Sequence, residues 1–309
     1  MIYTMTLNPA VDREMTVPKL EFDSVLRASD WRVDPGGKGF NVSRMLMSLG
    51  ADSTALGFAA GRSGEYLRDN LEGLGINTDF VWVEGETRTN VSIVSSNDGH
   101  YIKANEPGPT ITIADREKLM AQIRDKARNG DWWVLAGSLP PGVPTTIYAE
   151  IIAIVQSAGA KTILDTSGEG LKFGCDGRPF LIKPNDYEAG KLTGLPIDTR
   201  PEIIIAAQAI LNTGVENVVI SLGKAGALLV NVSGAWFAAS PAIQEANPIG
   251  AGDSMVGGLV WALNNGMKTA EALRWGIACG AATASCKGTT VGSREQVQSL
   301  VQQIEVVRA

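Results

Sequence analysis

The chain has 309 residues, 44% of them hydrophobic and 19% charged, with a formal net charge of −6. That acidic balance, with no basic stripe, argues against a nucleic-acid role and requires any anionic substrate to be caught by a few locally placed cations. One histidine, His100, and three cysteines without a C-x-x-C pair argue against zinc centres and histidine catalysis, while 35 glycines forecast tight turns and close backbone approaches.

Met1-Ile2-Tyr3-Thr4 has no basic lead, and Asp12 and Arg13 arrive early, so no secretory signal is expected. No apolar run reaches the roughly 20 residues of a membrane span, and the chain reads as cytoplasmic. Strands are predicted at Ile2–Leu7, Ser53–Phe58, Asp79–Glu84, Trp132–Ala136, Lys161–Asp165, Phe180–Ile182 and Asn217–Leu222. Helical spacing lies between them, as in Leu67, Leu71 and Leu74 after Ser63, and Ile147, Ile151, Ile154 and Val155 after Thr145. The last third reads as helices over Gly252–Asn264, Ala270–Cys286 and Arg294–Val307. Within it, Cys279 and Cys286 read as packing residues on one face rather than a redox pair. This alternation predicts an α/β fold, a doubly wound and mainly parallel sheet with ligands at the carboxyl ends of its strands. Two stretches break it. Val11–Asp34 reads as two extended pieces joined near Glu21–Ser24, and Thr89–Ser96 with His100–Ala104 reads as a hairpin around Asn97-Asp98-Gly99. Together, about 11–34 and 87–105, they predict a small antiparallel β sheet projecting from a single domain of 1–309. Such a sheet can serve as a lid, a dimer surface, or both.

Four segments carry chemistry. Pro35-Gly36-Gly37-Lys38-Gly39-Phe40-Asn41 is a glycine turn feeding a helix, which presents free N–H groups and a positive dipole end, although a tight loop with a solvated lysine has the same pattern. Gly250-Ala251-Gly252-Asp253-Ser254 repeats the device with a carboxylate in the first turn, where a dipole-stabilising aspartate is also common. It is neither a P-loop nor a dinucleotide fingerprint, since the required third glycine is Met255. Lys183-Pro184-Asn185-Asp186-Tyr187-Glu188 puts two oxygen-bearing side chains on one helix face, fit for Mg²⁺ or, read alone, for an N-cap with its reciprocal Glu. Ser221-Leu222-Gly223-Lys224-Ala225-Gly226 is a strand end entering a turn, suited to nucleotide phosphates or to nothing beyond the turn itself.

Taken in order with Asn8-Pro9-Ala10-x-Asp12, Thr87-Arg88-x-Asn90 and Gly137-Ser138-Leu139-Pro140, these motifs resemble the PfkB branch of the ribokinase-like carbohydrate kinases, from about residue 3 to about residue 290. The nearest likeness within it is to the 1-phosphofructokinase and tagatose-6-phosphate kinase groups. The resemblance implies a ribokinase-like fold, ATP and Mg²⁺ as cofactors, and phosphorylation of a ketohexose phosphate. Fructose 1-phosphate, giving fructose 1,6-bisphosphate, is the first expectation; tagatose 6-phosphate or fructose 6-phosphate is the alternative. It implies Asp253 as the base and the N–H groups of Gly250, Ala251 and Gly252 as the anion hole. Asp12, Asn41, Asn90 and Gly37 would meet the sugar, and Lys38, Arg88, Ser138 and Arg27 its phosphate. Lys183, Asn185, Ser221, Gly223 and Gly226 would line the ATP site, with Asn185 and Glu188 as the magnesium-water motif. A monovalent cation near Asn247, Cys286 and Gly288 and a homodimer through the lid complete what is implied. Asn247-Pro248-Ile249 departs from the Thr-Val pair common before the anion hole and leans toward the tagatose-6-phosphate kinases. A sugar-phosphate sensor without activity would have lost Asp253 or a glycine of the turn, and all are present.

Overall fold

The computed structural model describes residues 1–288 and 290–309. Strand β1 (Ile2–Thr6) runs into a hairpin, β2 (Ala10–Val17) and β3 (Asp30–Gly36), and the chain then enters α1 (Lys38–Ser48). β4 (Thr54–Ala59), α2 (Gly61–Gly73) and β5 (Asn77–Trp82) precede a second hairpin, β6 (Arg88–Ser95) and β7 (Tyr101–Asn105). Next come α3 (Ile113–Lys126), β8 (Trp132–Ala136), α4 (Ile147–Ser157), β9 (Lys161–Asp165), α5 (Gly168–Asp176) and β10 (Leu181–Ile182). Helices α6 (Asp186–Thr193) and α7 (Arg200–Leu211) lead to β11 (Asn217–Ser221), β12 (Ala227–Asn231) and β13 (Gly234–Ala238). The chain ends with α8 (Ala251–Asn264), α9 (Thr269–Ala284), α10 (Arg294–Val301) and β14 (Val306–Arg308).

Ten strands form one sheet in the order β14-β13-β12-β11-β10-β9-β8-β1-β4-β5. Every neighbouring pair from β5 to β11 is parallel, and β12 to β14 add an antiparallel edge. Both faces are covered, so central strands are apolar throughout rather than alternating. In β8, Trp133 and Leu135 join one core with Met5, Leu119 and Ile151, while Trp132, Val134 and Ala136 join the other with Met45, Leu259 and Cys279. Truncating one such side chain, as in Leu135→Ala, costs about 2–5 kcal/mol. No helix among the described residues is long and apolar enough to cross a membrane.

The small sheet has the order β3-β2-β6-β7 and is mixed, not antiparallel throughout. Each hairpin is antiparallel, but β2 and β6 pair in parallel from Ala10↔Arg88 to Val17↔Ser95. The cause is topological: β2 leaves the carboxyl end of β1 and β6 follows β5, so both run the same way. Its pleat sorts the side chains. Trp31, Met15, Ile93 and Ile102 form a cross-strand row on one face, and Asp34, Asp12, Asn90 and Asn105 form one on the other.

The last third departs from a purely helical reading. Ala227–Asn231 and Gly234–Ala238 form a hairpin beside β11, and the final helix stops at Val301 because Val306–Arg308 pairs with β13. Cys286 lies beyond the end of α9, so it does not share a helix face with Cys279. All three cysteines are unpaired.

Candidate active site

Helix α1 opens without a side-chain cap: its N-cap is Gly37, at φ 153°. The Gly39 N–H donates to Thr6 Oγ1 at 3.0 Å, and a Cβ there would lie 2.8 Å from the Met5 carbonyl oxygen. Glycine at 39 is what lets α1 begin against β1, at the carboxyl end of the sheet. Helix α8 begins the same way, with Gly250 left-handed at φ 79° and no side-chain cap. One expectation shifts here. The Ala251 N–H donates to the Pro248 carbonyl at 3.2 Å, because the Pro248 turn closes on it, whereas the N–H groups of Gly252 and Asp253 meet no acceptor among the described residues. The Gly250 N–H likewise meets no acceptor among the described residues. The open donors are therefore those of Gly250, Gly252 and Asp253, and of the expected hole only the Ala251 N–H is taken.

Between these two helix starts lies a charge cluster. Asp253 is 7% exposed, and its Oδ2 accepts from Asn41 Nδ2 at 2.8 Å. Burial pushes its pKa up to about 6; Asp165 acts in the same direction, and Lys38, the Asn41 hydrogen bond and Lys183 act against it. A carboxyl poised there can accept a hydroxyl proton near neutral pH. Asn41, expected to read a sugar hydroxyl, donates to Asp253, and its own Oδ1 accepts from Arg44 Nη1 at 3.5 Å. Lys38, expected beside Arg88, instead reaches Asp165 Oδ2 at 3.3 Å. Burial disfavours its charge, but Asp165, Asp253 and Glu188 outweigh that and raise its pKa. Lys183 Nζ lies 3.3 Å from Asp165 Oδ1 and 3.6 Å from where a Cβ on Gly252 would sit.

The small sheet supplies the polar groups on the other side. Asn90 Nδ2 donates to Asp12 Oδ1 at 2.7 Å, leaving Asn90 Oδ1 buried without a partner. Gly36 makes room for Asp12, since a Cβ there would collide with that carboxylate. Arg88 donates from Nη1 to the Glu106 carbonyl at 3.2 Å and from Nη2 to Ser138 Oγ at 3.5 Å. Ser138 follows Gly137, whose carbonyl is fixed by Tyr148 and Thr166 hydroxyls at 2.9 and 2.8 Å. Arg27 is not brought to these residues; it lies exposed in the loop between β2 and β3.

A cavity of about 870 Å³ adjoins the Gly252 turn, lined by Ser221, Gly223, Gly226, Pro241 and Ile243 among others. That volume suits an adenine nucleotide. Lys183 and Asn185 are not in its lining. Asn185 caps α6, accepting from the Glu188 N–H at 2.7 Å while Glu188 Oε2 accepts from the Asn185 N–H at 2.9 Å. Asn247 Nδ2 donates to the Gly288 carbonyl at 2.8 Å, and Cys286 Sγ turns to the Ala282 carbonyl at 3.3 Å.

Comparison with known proteins meets this geometry. Residues 5–296 match the family described as pfkB family carbohydrate kinase. The chain belongs to the pfkB carbohydrate kinases. It is 36% identical over 308 residues to the 1-phosphofructokinase of Bacillus subtilis, covering 100% of both chains. It is 33% identical over 311 residues to the tagatose-6-phosphate kinase of Staphylococcus epidermidis, covering 99% of each. A solved phosphofructokinase-2 from Escherichia coli in complex with potassium superposes with a TM-score of 0.93 at 32% identity, covering 98% of each chain. The ribokinase-like fold of this pfkB kinase is thereby shared across its length.

Asp165 and Arg44 were not singled out from the sequence. Asp165 carries a signal in retrospect: it is the last residue of a buried parallel strand, the place where such folds bind ligands. Arg44 has none, since it is one polar residue on an amphipathic helix.

Proposed function

We propose that this chain transfers the γ-phosphoryl group of ATP to the free primary hydroxyl of fructose 1-phosphate, giving fructose 1,6-bisphosphate. The observation that carries this reading is a buried carboxylate with a raised pKa, Asp253, in the uncapped first turn of α8, with two lysines and a nucleotide-sized cavity beside it. Phosphoryl transfer needs alignment and charge neutralisation more than covalent chemistry. Asp253 takes the proton of the attacking hydroxyl. The N–H groups of Gly250, Gly252 and Asp253, with Lys38 and Lys183, hold the phosphoryl oxygens. Asp12, Asn41 and Asn90 read the sugar hydroxyls, and Gly37 keeps the backbone open beside them. Arg88 and Ser138 take the phosphate already on the sugar, joined by Arg27 when its loop moves. Ser221, Gly223 and Gly226 line the nucleotide site.

When bound, Mg²⁺ neutralises phosphate oxygens; Glu188, whose second oxygen the cap does not use, suits a water-bridged site for it, and Asn185 fixes Glu188. The potassium complex of the Escherichia coli relative supports a monovalent cation at the Asn247–Gly288 turn. The whole chain, 1–309, works in the cytoplasm as one domain, with the sheet of about 11–34 and 87–105 as its lid. Trp31 is 68% and Ile102 43% exposed in the apolar row of that sheet, which supports a homodimer with the lids in contact.

Tagatose 6-phosphate is the second reading, supported by the full-length likeness to the Staphylococcus epidermidis enzyme. Measuring kcat/KM for both esters and free fructose, in wild type and Arg88→Ala, tests the assignment. Charge-assisted hydrogen bonds are each worth about 1.5–3 kcal/mol, so free fructose is expected to be poorer by roughly 10²-fold. Arg88→Ala should erase most of that preference. Equal use of free fructose, or a preference that survives Arg88→Ala, would remove the phosphate clamp.

A further inference from the structure

Asp165 ends β9 with its side chain 1% exposed, and both of its oxygens lie 3.3 Å from an ammonium group. Oδ2 accepts a hydrogen bond from Lys38, while Oδ1 pairs with Lys183 by charge, without a hydrogen bond among the described residues. Three separate elements meet there, since Lys38 opens α1 and Lys183 follows β10. The fold does not require this arrangement. The strand pairing of β9 is made by its backbone, and buried ion clusters are often matched or bettered in stability by apolar side chains of similar volume. Direct substrate contact does not explain it either, because at 1% exposure the carboxylate offers almost no surface to a ligand. Lys38, by contrast, is 40% exposed and open to one, and Lys183 Nζ sits 3.6 Å from the Cβ position of Gly252, at the uncapped turn of α8.

We propose that Asp165 is a positioning residue, which holds the ammonium groups of Lys38 and Lys183 together beside the Gly252–Asp253 turn so that both address the same phosphoryl group. This deepens the kinase reading and rests on it. One carboxylate tethering two lysines leaves one net positive charge at the place where a phosphoryl anion arrives, and Asp253 stands at the same turn to take the hydroxyl proton. A lysine without such a tether is a flexible point charge; the tether sets its direction. The role is orientation, so it is felt when phosphoryl transfer is under way rather than when nucleotide binds.

The test uses the full chain with Asp165→Asn, Lys38→Met and the double variant. Asp165→Asn is expected to lower kcat by at least about tenfold, with the KM for the sugar phosphate within about twofold. ATP affinity by calorimetry should be unchanged or tighter, because a negative charge has left the site. In the Lys38→Met background the same substitution should cost clearly less, since its effect passes through Lys38. Acetylation of Lys38, mapped by mass spectrometry at mildly alkaline pH, should be faster in Asp165→Asn, and this readout needs no turnover. Should Asp165→Asn fail to fold, Asp165→Glu keeps the charge but displaces it, and a fall in kcat with ATP affinity retained is expected. The proposal is overturned if either variant keeps more than half of wild-type kcat, if ATP affinity falls in step with kcat, or if the losses at 165 and 38 simply add. Wild-type protein inactive on every sugar phosphate would defeat the kinase reading instead; the acetylation contrast would then decide the tether by itself, with an unchanged rate at Lys38 overturning it.

Discussion

Asp253→Asn should inactivate the enzyme and stabilise it. The carboxyl is held at about 6 against an ordinary 3.8, so ionising it in the folded state is unfavourable by about two pKa units. At about 1.4 kcal/mol per unit, the native fold loses up to about 3 kcal/mol when the pH is well above 6. The sign follows from the direction. The folded state binds the proton more tightly than the unfolded state, so wild type gains stability as pH falls from above 6 toward 4. Asparagine is neutral, keeps the shape, and can still accept from Asn41 Nδ2. The variant should therefore unfold at higher denaturant than wild type at pH 8, and the gap should narrow at pH 6 and close near pH 4. Over the same range kcat should stand about 10²–10⁴-fold below wild type, the loss for a positioned base. Denaturant melts of both proteins without ligand, at those three pH values, with a coupled assay at pH 8, make the test. A variant no more stable at pH 8, a gap indifferent to pH, or kcat above half of wild type would refute the reasoning.

Wild-type kcat/KM should fall on the acid side with a midpoint near 6 as Asp253 takes up its proton, and a profile flat down to pH 5 would contradict it. Gly252→Val should fold, since a Cβ there meets only Lys183 Nζ at 3.6 Å, but it should lose turnover while still binding sugar phosphate. Losing one donor of this kind costs about 2.7–4 kcal/mol of transition-state stabilisation, and near-normal activity would rule the turn out as an anion site. Ile93→Asp, in the apolar row of the small sheet, should give a monomer in sedimentation at micromolar concentration with much reduced activity; an unchanged assembly would place the interface elsewhere.

Much of the fold was legible because central parallel strands announce themselves. Trp132–Ala136 and Lys161–Asp165 were read to the residue, the first a short apolar run and the second an apolar and β-branched centre flanked by Lys161 and Asp165, each between helical spacings. The edge was less readable. Val306–Arg308 follows a helix with only a brief turn, and it becomes a strand only because β13 offers an unpaired edge, which is tertiary information. The hairpin at 227–238 did carry a signal, two short apolar runs broken by Asn231-Val232-Ser233-Gly234, but no element was expected between Leu222 and Gly252. The parallel pairing of β2 with β6 depends on where β1 and β5 end, and no local pattern encodes it.

At the site, the two glycine turns identified which backbone would be bare, and both proved to be uncapped helix starts. Side-chain direction was beyond the sequence. The family resemblance put Lys38 with the sugar's phosphate, whereas its first-turn position on α1 carries its ammonium to Asp165, and Asn41, three residues on, meets Asp253. Asn185 and Glu188 show the limit of spacing arguments, since the same i, i+3 pair serves a capping box and a metal-water site equally well.

The most direct measurement is a coupled assay of ADP release by wild-type protein with ATP and Mg²⁺, run across fructose 1-phosphate, tagatose 6-phosphate, fructose 6-phosphate, fructose and ribose, with the product identified. Fructose 1-phosphate should give the highest kcat/KM and yield fructose 1,6-bisphosphate, with the unphosphorylated sugars roughly 10²-fold or more behind. No sugar-dependent ADP release from any phosphate ester, or a free sugar used as well as the best ester, would contradict the account.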